Sequence, residues 1–421
     1  MKKANFQRLL PLVKNFRGKK LYVFGIMILF WTIFDSLVTY VVPIALTSHF
    51  SKTATGFIIG LSSVFGALFD IFISLYVKDT NYRRLLFWMF IACFAVPLLL
   101  IVGGSALIYI LAMFVWGVYY DLYNFGTFDF VARTAQKDEY SSSFGLIEVF
   151  KGFSNIIAPL IAGFLVFDVL TTKMFSAIYV FLVVGFLVFL ALLRFNKKKE
   201  IEHKSGFVEK VSPARNFLVE RHLWKKIGLK IWSVLLMTTF LNMILSFFWT
   251  LGPLYSEVSN FGNFNGAFLL AFVVPSLLLG WFVAPLNRVI GKKLTAFWAT
   301  LFGSALLLLL FFDFSHGWPG VLIVFAASCF FAVSFPSIAA AYEDYIYENS
   351  LAQPEIQSIQ DFFTNLGFIL GPISAGILAD LSGISSAFGF LGVLGLILMT
   401  LFLVLTARHI RIGIRQKDFE L

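Results

Sequence analysis

Apolar runs about as long as a bilayer is thick recur along this chain, with short polar breaks between them. Twelve segments have the length and character of membrane-spanning helices: 21–46, 56–77, 85–103, 106–131, 144–167, 174–194, 228–251, 265–285, 294–313, 319–341, 358–380 and 386–407. The breaks carry turn or charge signals, such as Ser51-Lys52-Thr53, Gly103-Gly104-Ser105, His316-Gly317-Trp318-Pro319 and Ser382-Gly383. One break is long and polar. It contains Lys197-Lys198-Lys199 and leaves six spans on either side. The pattern predicts an all-α membrane protein: an N-terminal segment 1–20, a six-helix bundle 21–194, a linker 195–227, a second bundle 228–407 and a tail 408–421.

Composition agrees with that reading. The chain is 59% hydrophobic and 13% charged, whereas soluble domains are about 45–50% apolar and about 25% charged. Two cysteines, Cys93 and Cys329, both inside apolar runs, are too few for a disulfide framework and read as buried thiols. The basic N-terminus resembles a signal peptide, but the run from Leu21 to Leu46 is too long for one. No small-x-small cleavage site follows it, so it reads as a retained first span. Phe6, Leu9, Leu10, Leu12, Val13 and Phe16 are spaced to form a short interfacial helix ahead of it.

The net charge of +10 is distributed by topology and not as a nucleic-acid patch. With the N-terminus in the cytoplasm, every Lys and Arg except Lys52 and Lys173 falls on the inner side. That is the positive-inside bias, and it places both termini in the cytoplasm of an inner-membrane protein. Segment 342–361 departs from it, with Glu343, Asp344, Glu348, Glu355 and Asp361 and no Lys or Arg. Either these acids pair with basic inner loops such as Arg288 and Lys292-Lys293, or they form a solvated acidic loop.

The chain also repeats itself. Glu148-Val149-Phe150 through Ala158-Pro159-Leu160-Ile161-Ala162-Gly163 recurs 213 residues later (148 to 361, 159 to 372, 163 to 376) as Asp361-Phe362-Phe363 through Gly371-Pro372-Ile373-Ser374-Ala375-Gly376. Val42-Pro43 matches Gly252-Pro253, and Phe87-Trp88 matches Phe297-Trp298. Asp79 to Arg83-Arg84 matches Asn287-Arg288 to Lys292-Lys293. Six spans separate the copies, so the two halves enter the membrane alike, related by an axis along its normal.

At this point the chain resembles the major facilitator superfamily over nearly its whole length. That family carries Gly-x-x-x-Asp-Arg-x-Gly-Arg-Arg between its second and third spans. Here Asp79, Arg83 and Arg84 keep the charged skeleton, while Leu75, Thr80 and Tyr82 replace the other motif residues. The family's proton-driven antiporters carry Gly-x8-Gly-x3-Gly-Pro-x2-Gly-Gly on the fifth span. Gly145, Ser154, Ala158-Pro159 and Ala162-Gly163 stand at that spacing, either as an antiporter signature or as small-residue helix packing. The fourth-span Arg of drug antiporters is absent, and Tyr119-Tyr120-Asp121-Leu122-Tyr123-Asn124 stands there instead. The resemblance implies a secondary transporter working by alternating access. It implies gate or motif roles for Asp79, Arg83, Arg84, Pro159, Gly163, Arg288, Lys292, Lys293, Asp361, Pro372 and Gly376.

Charges inside a bilayer are costly, about 2.5–3.5 kcal/mol each on insertion scales, so each is a functional candidate. Asp35, Asp70, Asp121, Glu148 and Lys151 lie within spans. In the family the first, fourth, seventh and tenth spans line the cavity, with the fifth and eleventh contributing. That arrangement favours Asp35, Asp121 and Glu148, with Tyr120 and Asn124 beside them and Asn242, Trp249 and Asn365 in the second half. Asp70 could instead pair within the bundle, and Glu148 and Lys151, three residues apart on one helix face, could neutralise each other.

A carboxyl removed from water favours its neutral form, which is what a proton carrier needs. Asp35 or Asp121 is therefore expected to load a proton and release it on substrate binding. The excess of acids over the single basic residue deep in a span favours a cationic or neutral substrate over an anion. Aromatic residues make up 18% of the chain. Those near the acids (Trp31, Phe34, Tyr119, Tyr120, Tyr123, Phe247, Phe248, Trp249) could stack on a cationic or amphipathic ligand.

The expected activity is proton-coupled export of small lipophilic or cationic compounds. The alternatives are symport of a neutral metabolite such as a sugar or nucleoside, and movement of a lysolipid or similar amphiphile. The expected partners are the lipid bilayer, a small-molecule substrate and protons, with no nucleic acid, metal or cofactor, and a monomeric chain. His-Glu-x-x-His, Gly-x-Ser-x-Gly, Gly-x-Gly-Asp and a phosphate-binding loop are all missing, which speaks against an intramembrane enzyme or an ATP-driven pump.

Overall fold

With no water in hydrocarbon, a spanning backbone must satisfy its own N–H and C=O groups, and a helix does so within one segment. The computed structural model describes residues 16–76, 81–135, 139–165, 172–194, 217–259, 261–312, 316–349 and 353–406. Twelve helices in them are long and apolar enough to cross a membrane. They are α1 (Phe16–Thr47), α2 (Lys52–Tyr76), α3 (Tyr82–Val102), α4 (Ala106–Thr134), α5 (Tyr140–Leu165) and α6 (Thr172–Leu193), then α7 (Phe217–Ser259), α8 (Ala267–Ile290), α9 (Lys292–Leu307), α10 (Trp318–Glu348), α11 (Gln353–Ser382) and α12 (Ile384–Leu405). The all-α, twelve-span fold class expected from the sequence is the one observed. The interfacial helix expected ahead of α1 falls outside the described residues but for Phe16, as does Asp79.

Several helices outrun the apolar segments that announced them. α7 starts inside the expected linker and bends at Ile231 (φ −109°, ψ 21°). The turns before that bend carry His222, Lys225, Lys226 and Lys230, which suit water better than lipid. α8 continues through Asn287 and Arg288 to Ile290. α10 continues to Glu348, so Glu343, Asp344 and Glu348 are helical and not part of a loop as expected. Tyr342 and Tyr345 are buried on one face of this extension while Glu343, Asp344, Tyr347 and Glu348 are exposed. A helix needs only one buried stripe to persist beyond the bilayer.

The helices gather into two compact units. One holds the described residues of Met1–Thr39 and Phe65–Lys210, the other those of Tyr40–Val64 and Val211–Leu421. In the first unit α5 lies close to α1. Ser154 Oγ donates to Leu29 O (2.8 Å), Ser36 Oγ donates to Asn155 Oδ1 (3.0 Å), and Gly25 sits against the Phe150 ring. In the second unit α11 lies as close to α7. Thr239 Oγ1 donates to Phe363 O (2.9 Å) and Ser246 Oγ to Gly367 O (3.3 Å). A Cβ on Gly367 would meet Thr239 O at 2.5 Å, and one on Gly371 would meet Ser246 Oγ at 1.9 Å.

The repeat has a physical meaning here. Positions 154 and 367 are equivalent copies, and each packs on a carbonyl of the first span of its own half of the sequence, at Leu29 and Thr239. Gly145 is different, with open space where a Cβ would go, so close packing does not explain the glycine there. Two acids outside the expected set fix helix ends. Asp129 on α4 accepts from Tyr82 N (2.6 Å) at the start of α3 and from Arg133 Nε (2.8 Å). Asp380 does the same for α2, as described below.

These contacts separate two glycine substitutions. Gly371→Leu should destabilise the detergent-solubilised protein strongly, on the scale of overpacked cores at about 1–3 kcal/mol. Gly145→Ala should leave the melting temperature unchanged or raised, since alanine in a helix interior gains about 0.5–1 kcal/mol over glycine. Thermal unfolding of both variants checks the contrast, and equal losses would contradict it.

Candidate functional site

The acids and aromatics that the sequence singled out converge in the first unit, on α1, α4 and α5. Trp31 is fully buried and stacks on Tyr123, with ring centroids 4.0 Å apart at 15°. Tyr119 meets Trp31 edge-on at 6.2 Å, and Tyr120 lies 6.1 Å from both Trp31 and Tyr123. The Trp31 indole N–H donates to Cys93 Sγ on α3 (3.4 Å), so that ring is held from both sides. The spacing follows from helix geometry. Trp31 and Asp35 are one turn apart on α1, and Tyr119 and Tyr123 one turn apart on α4, so each pair shares a face.

Asp35 is the acid within this aromatic cluster. Its Oδ1 accepts the Tyr119 hydroxyl at 2.6 Å, a charge-assisted bond when the carboxyl is ionised. Lys151 on α5 acts electrostatically on Asp35 and lies 6.0 Å from the Tyr123 ring centroid. Its Nζ donates to Glu148 Oε1 at 2.9 Å, which puts those two residues in an ion pair. Tyr120 keeps 41% of its surface exposed and the Glu148 side chain 65%, so this side of the cluster is open. Asn124 is half-buried one turn from Tyr120.

A second acidic pair lies between α2 and α4. Asp121 Oδ2 is buried and accepts no hydrogen bond. It faces Gly66, where an added Cβ would stand 3.2 Å away. Asp70, one turn beyond Gly66, interacts electrostatically with Asp121. Two like charges in low dielectric cannot both ionise cheaply.

The remaining candidates do not join this cluster. Asn242 donates to Thr238 O of its own helix (2.8 Å), Trp249 and Asn365 are half-buried, and Asp361 is exposed on α11. Arg83 donates to Leu193 O (3.3 Å) at the end of α6, while Arg84 and Arg288 are exposed. Lys292 Nζ, at the start of α9, reaches both Ala340 O (3.2 Å) and Asp344 Oδ1, which pairs it with an acid of α10. Lys293 is buried at the start of α9. Pro159, Gly163, Pro372 and Gly376 are buried, the last two against α2. Sequence reasoning missed Cys93 as the Trp31 acceptor and Asn155 as the Ser36 partner, since each partner lies on a distant helix. Among the described residues no three His, Cys, Asp or Glu side chains are gathered to hold a metal ion.

The family model described as Major Facilitator Superfamily matches residues 23–353 and 272–418. No curated protein sequence matches. Several solved structures share the fold at low identity. A nucleoside transporter, NupG, is 13% identical over 91% of this chain and 98% of its own, with a TM-score of 0.67. A bacterial homologue of the human lysosomal transporter Spinster, inward-facing and unoccupied, is 13% identical over 93% and 95%, at 0.62. A bacterial homologue of the iron transporter ferroportin, in its inward-facing state, is 14% identical over 91% and 98%, at 0.67.

Burial separates two roles within the cluster. Trp31→Ala should cost about 3–5 kcal/mol, because it removes a fully buried ring and leaves a cavity. Lys151→Met should cost under about 1 kcal/mol, because a partly exposed ion pair contributes little. Melting temperatures of the purified variants check this, and a Lys151→Met loss as large as that of Trp31→Ala would contradict it.

Proposed function

This chain belongs to the major facilitator superfamily, and we propose that it works by alternating access, exporting small lipophilic or cationic compounds in exchange for protons. The observation that carries this reading is Asp35, held by Tyr119 beside the stacked Trp31–Tyr123 pair. An aromatic face attracts a cation through its quadrupole, by more when the site excludes water. The Lys151 ammonium already lies near the Tyr123 face, so a cation is compatible with this wall. Glu148 engages that ammonium and leaves Asp35 as the counter-charge for a substrate cation.

Exchange follows from competition. A protonated Asp35 has no charge to offer a cation, and a bound cation disfavours the proton. Substrate and proton therefore displace one another at a single carboxyl, which couples their movements without any further part. The Asp70–Asp121 pair supports a second proton position, since a proton held there relieves the repulsion between the two acids. The charge bias of the loops supports an inner-membrane location with both termini cytoplasmic. One chain holds the whole cluster, which supports a functional monomer.

A second reading, symport of a proton with a neutral metabolite such as a sugar or nucleoside, draws on Ser36 and Asn155. Their bonded pair places neutral hydrogen-bonding groups one residue from Asp35.

The test is flux in proteoliposomes under an imposed pH gradient, with tetraphenylphosphonium as the cation probe and uridine as the neutral one. Gradient-driven movement of the cation is expected in the wild type and at least a tenfold loss in Asp35→Asn, the size of losing about 1.4 kcal/mol of coupling. Undiminished pH-driven flux in Asp35→Asn rules out Asp35. Uridine carried with the proton instead of the cation favours the second reading.

A further inference from the structure

Within the second unit the start of α2 is fastened to the end of α11. Asp380 Oδ2 accepts from Thr53 N (2.7 Å), and its Oδ1 accepts from Lys52 N (3.3 Å). The first N–H groups of a helix have no partner in their own helix and carry the positive end of its dipole. Ser51 Oγ caps Ala54 N from within the chain (3.2 Å), and Asp380 supplies from another helix the acceptor for the two N–H groups that Ser51 leaves over. Lys52 Nζ also stands 3.7 Å from Asp380 Oδ1.

Below the cap the two helices touch backbone to backbone. A Cβ on Gly376 would stand 2.1 Å from Lys52 O, one on Gly56 2.1 Å from Pro372 O, and one on Gly60 3.2 Å from Ile369 O. Thr53 Oγ1 donates to Gly376 O at 3.5 Å. The end of α1 is tied down in the same region, where Tyr40 OH donates to Asn265 O (3.1 Å) in the turn before α8.

We propose that Asp380 is a gating residue. Its carboxylate on the N-terminus of α2, and not its ion pair with Lys52, keeps the α1–α2 end shut against α11, and the contact releases during the cycle. The inference rests on the alternating-access reading, because a path on the Lys52 side can open only if this seam parts. The choice of cap over ion pair follows from geometry. The Lys52–Asp380 pair is long, with side chains 36% and 29% exposed, and such surface pairs contribute little. The hydrogen bonds to Thr53 N and Lys52 N are charge-assisted and aligned with a helix dipole. The glycine seam suits a reversible contact, since below the cap it closes tightly with only the long Thr53–Gly376 bond (3.5 Å) to break.

The experiment is a distance measurement between spin labels at Ser48 and Leu381, both exposed. It uses the full chain in lipid nanodiscs with Cys93→Ser and Cys329→Ser. The wild type should show mainly the short distance, and Asp380→Ala should raise the long-distance fraction at least threefold. Lys52→Ala should match the wild type, and the charge swap Lys52→Asp with Asp380→Lys should behave like Asp380→Ala. Gly56→Leu, which wedges the seam without touching the cap, should also open it.

Opening by Lys52→Ala as large as by Asp380→Ala would overturn the cap in favour of the ion pair. One short distance in every variant, Gly56→Leu included, would overturn the gate even if pH-driven flux persists. The distances need no substrate, so a wild type that moves no probe while its distances shift as expected would count against the transport reading and not against the gate.

Discussion

Hydrocarbon offers no hydrogen bonds, and most features of this protein follow from that lack. Each span is a helix because only a helix satisfies a lone backbone segment. Hydroxyl side chains inside the spans mostly bond back to their own helix. Thr39 reaches Asp35 O, Thr238 reaches Val234 O, Thr250 reaches Ser246 O and Ser334 reaches Phe330 O. Helices that satisfy themselves in this way have little polar attraction for one another, so they associate by fitting closely. Hence the glycine and serine seams: Ser154 on Leu29 O, Gly367 on Thr239 O, and Gly392 and Gly395 against Ser304.

The same scarcity makes the exceptions informative. A carboxyl in such surroundings needs a donor, a cation or a proton. Asp35 has Tyr119, Glu148 has Lys151, and Asp129 has Tyr82 N and Arg133. Asp121 has a buried oxygen with no hydrogen-bond partner. The charged chemistry thus concentrates in the first unit. In the second unit the described polar groups on α7 that face α11 are neutral: Thr239 reaches Phe363 O across the contact, while Asn242 and Ser246 also bond back to their own helix. The repeat supplies one packing plan twice, and the acids of α1 and α4 distinguish the two copies.

The spans were legible because an apolar run of bilayer length needs no partner to be recognised. Their ends were less so. α7 and α10 continue into water on amphipathic turns, where hydropathy falls but helical periodicity does not. Asp35 was legible because an acid amid Trp31 and Phe34 is anomalous wherever it folds. Its partner was not, since Tyr119 lies 84 residues away and neighbouring Tyr120 and Tyr123 were equally eligible. Asp129 and Asp380 stand near span ends, where a charge needs no explanation, and only tertiary structure reveals that each caps a helix it does not belong to. Asn242, Trp249 and Asn365 came from the implied cavity-lining pattern alone, and the first unit's cluster does not include them.

The central claim is that one carboxyl serves substrate and proton in turn. The most direct measurement is proton release when tetraphenylphosphonium binds the purified protein in a weakly buffered solution containing a pH indicator. The account predicts proton release on cation binding that approaches one per cation as the pH falls and the free carboxyl fills, since the cation and the proton compete for the same charge. Saturable cation binding with no proton release at any pH would contradict it.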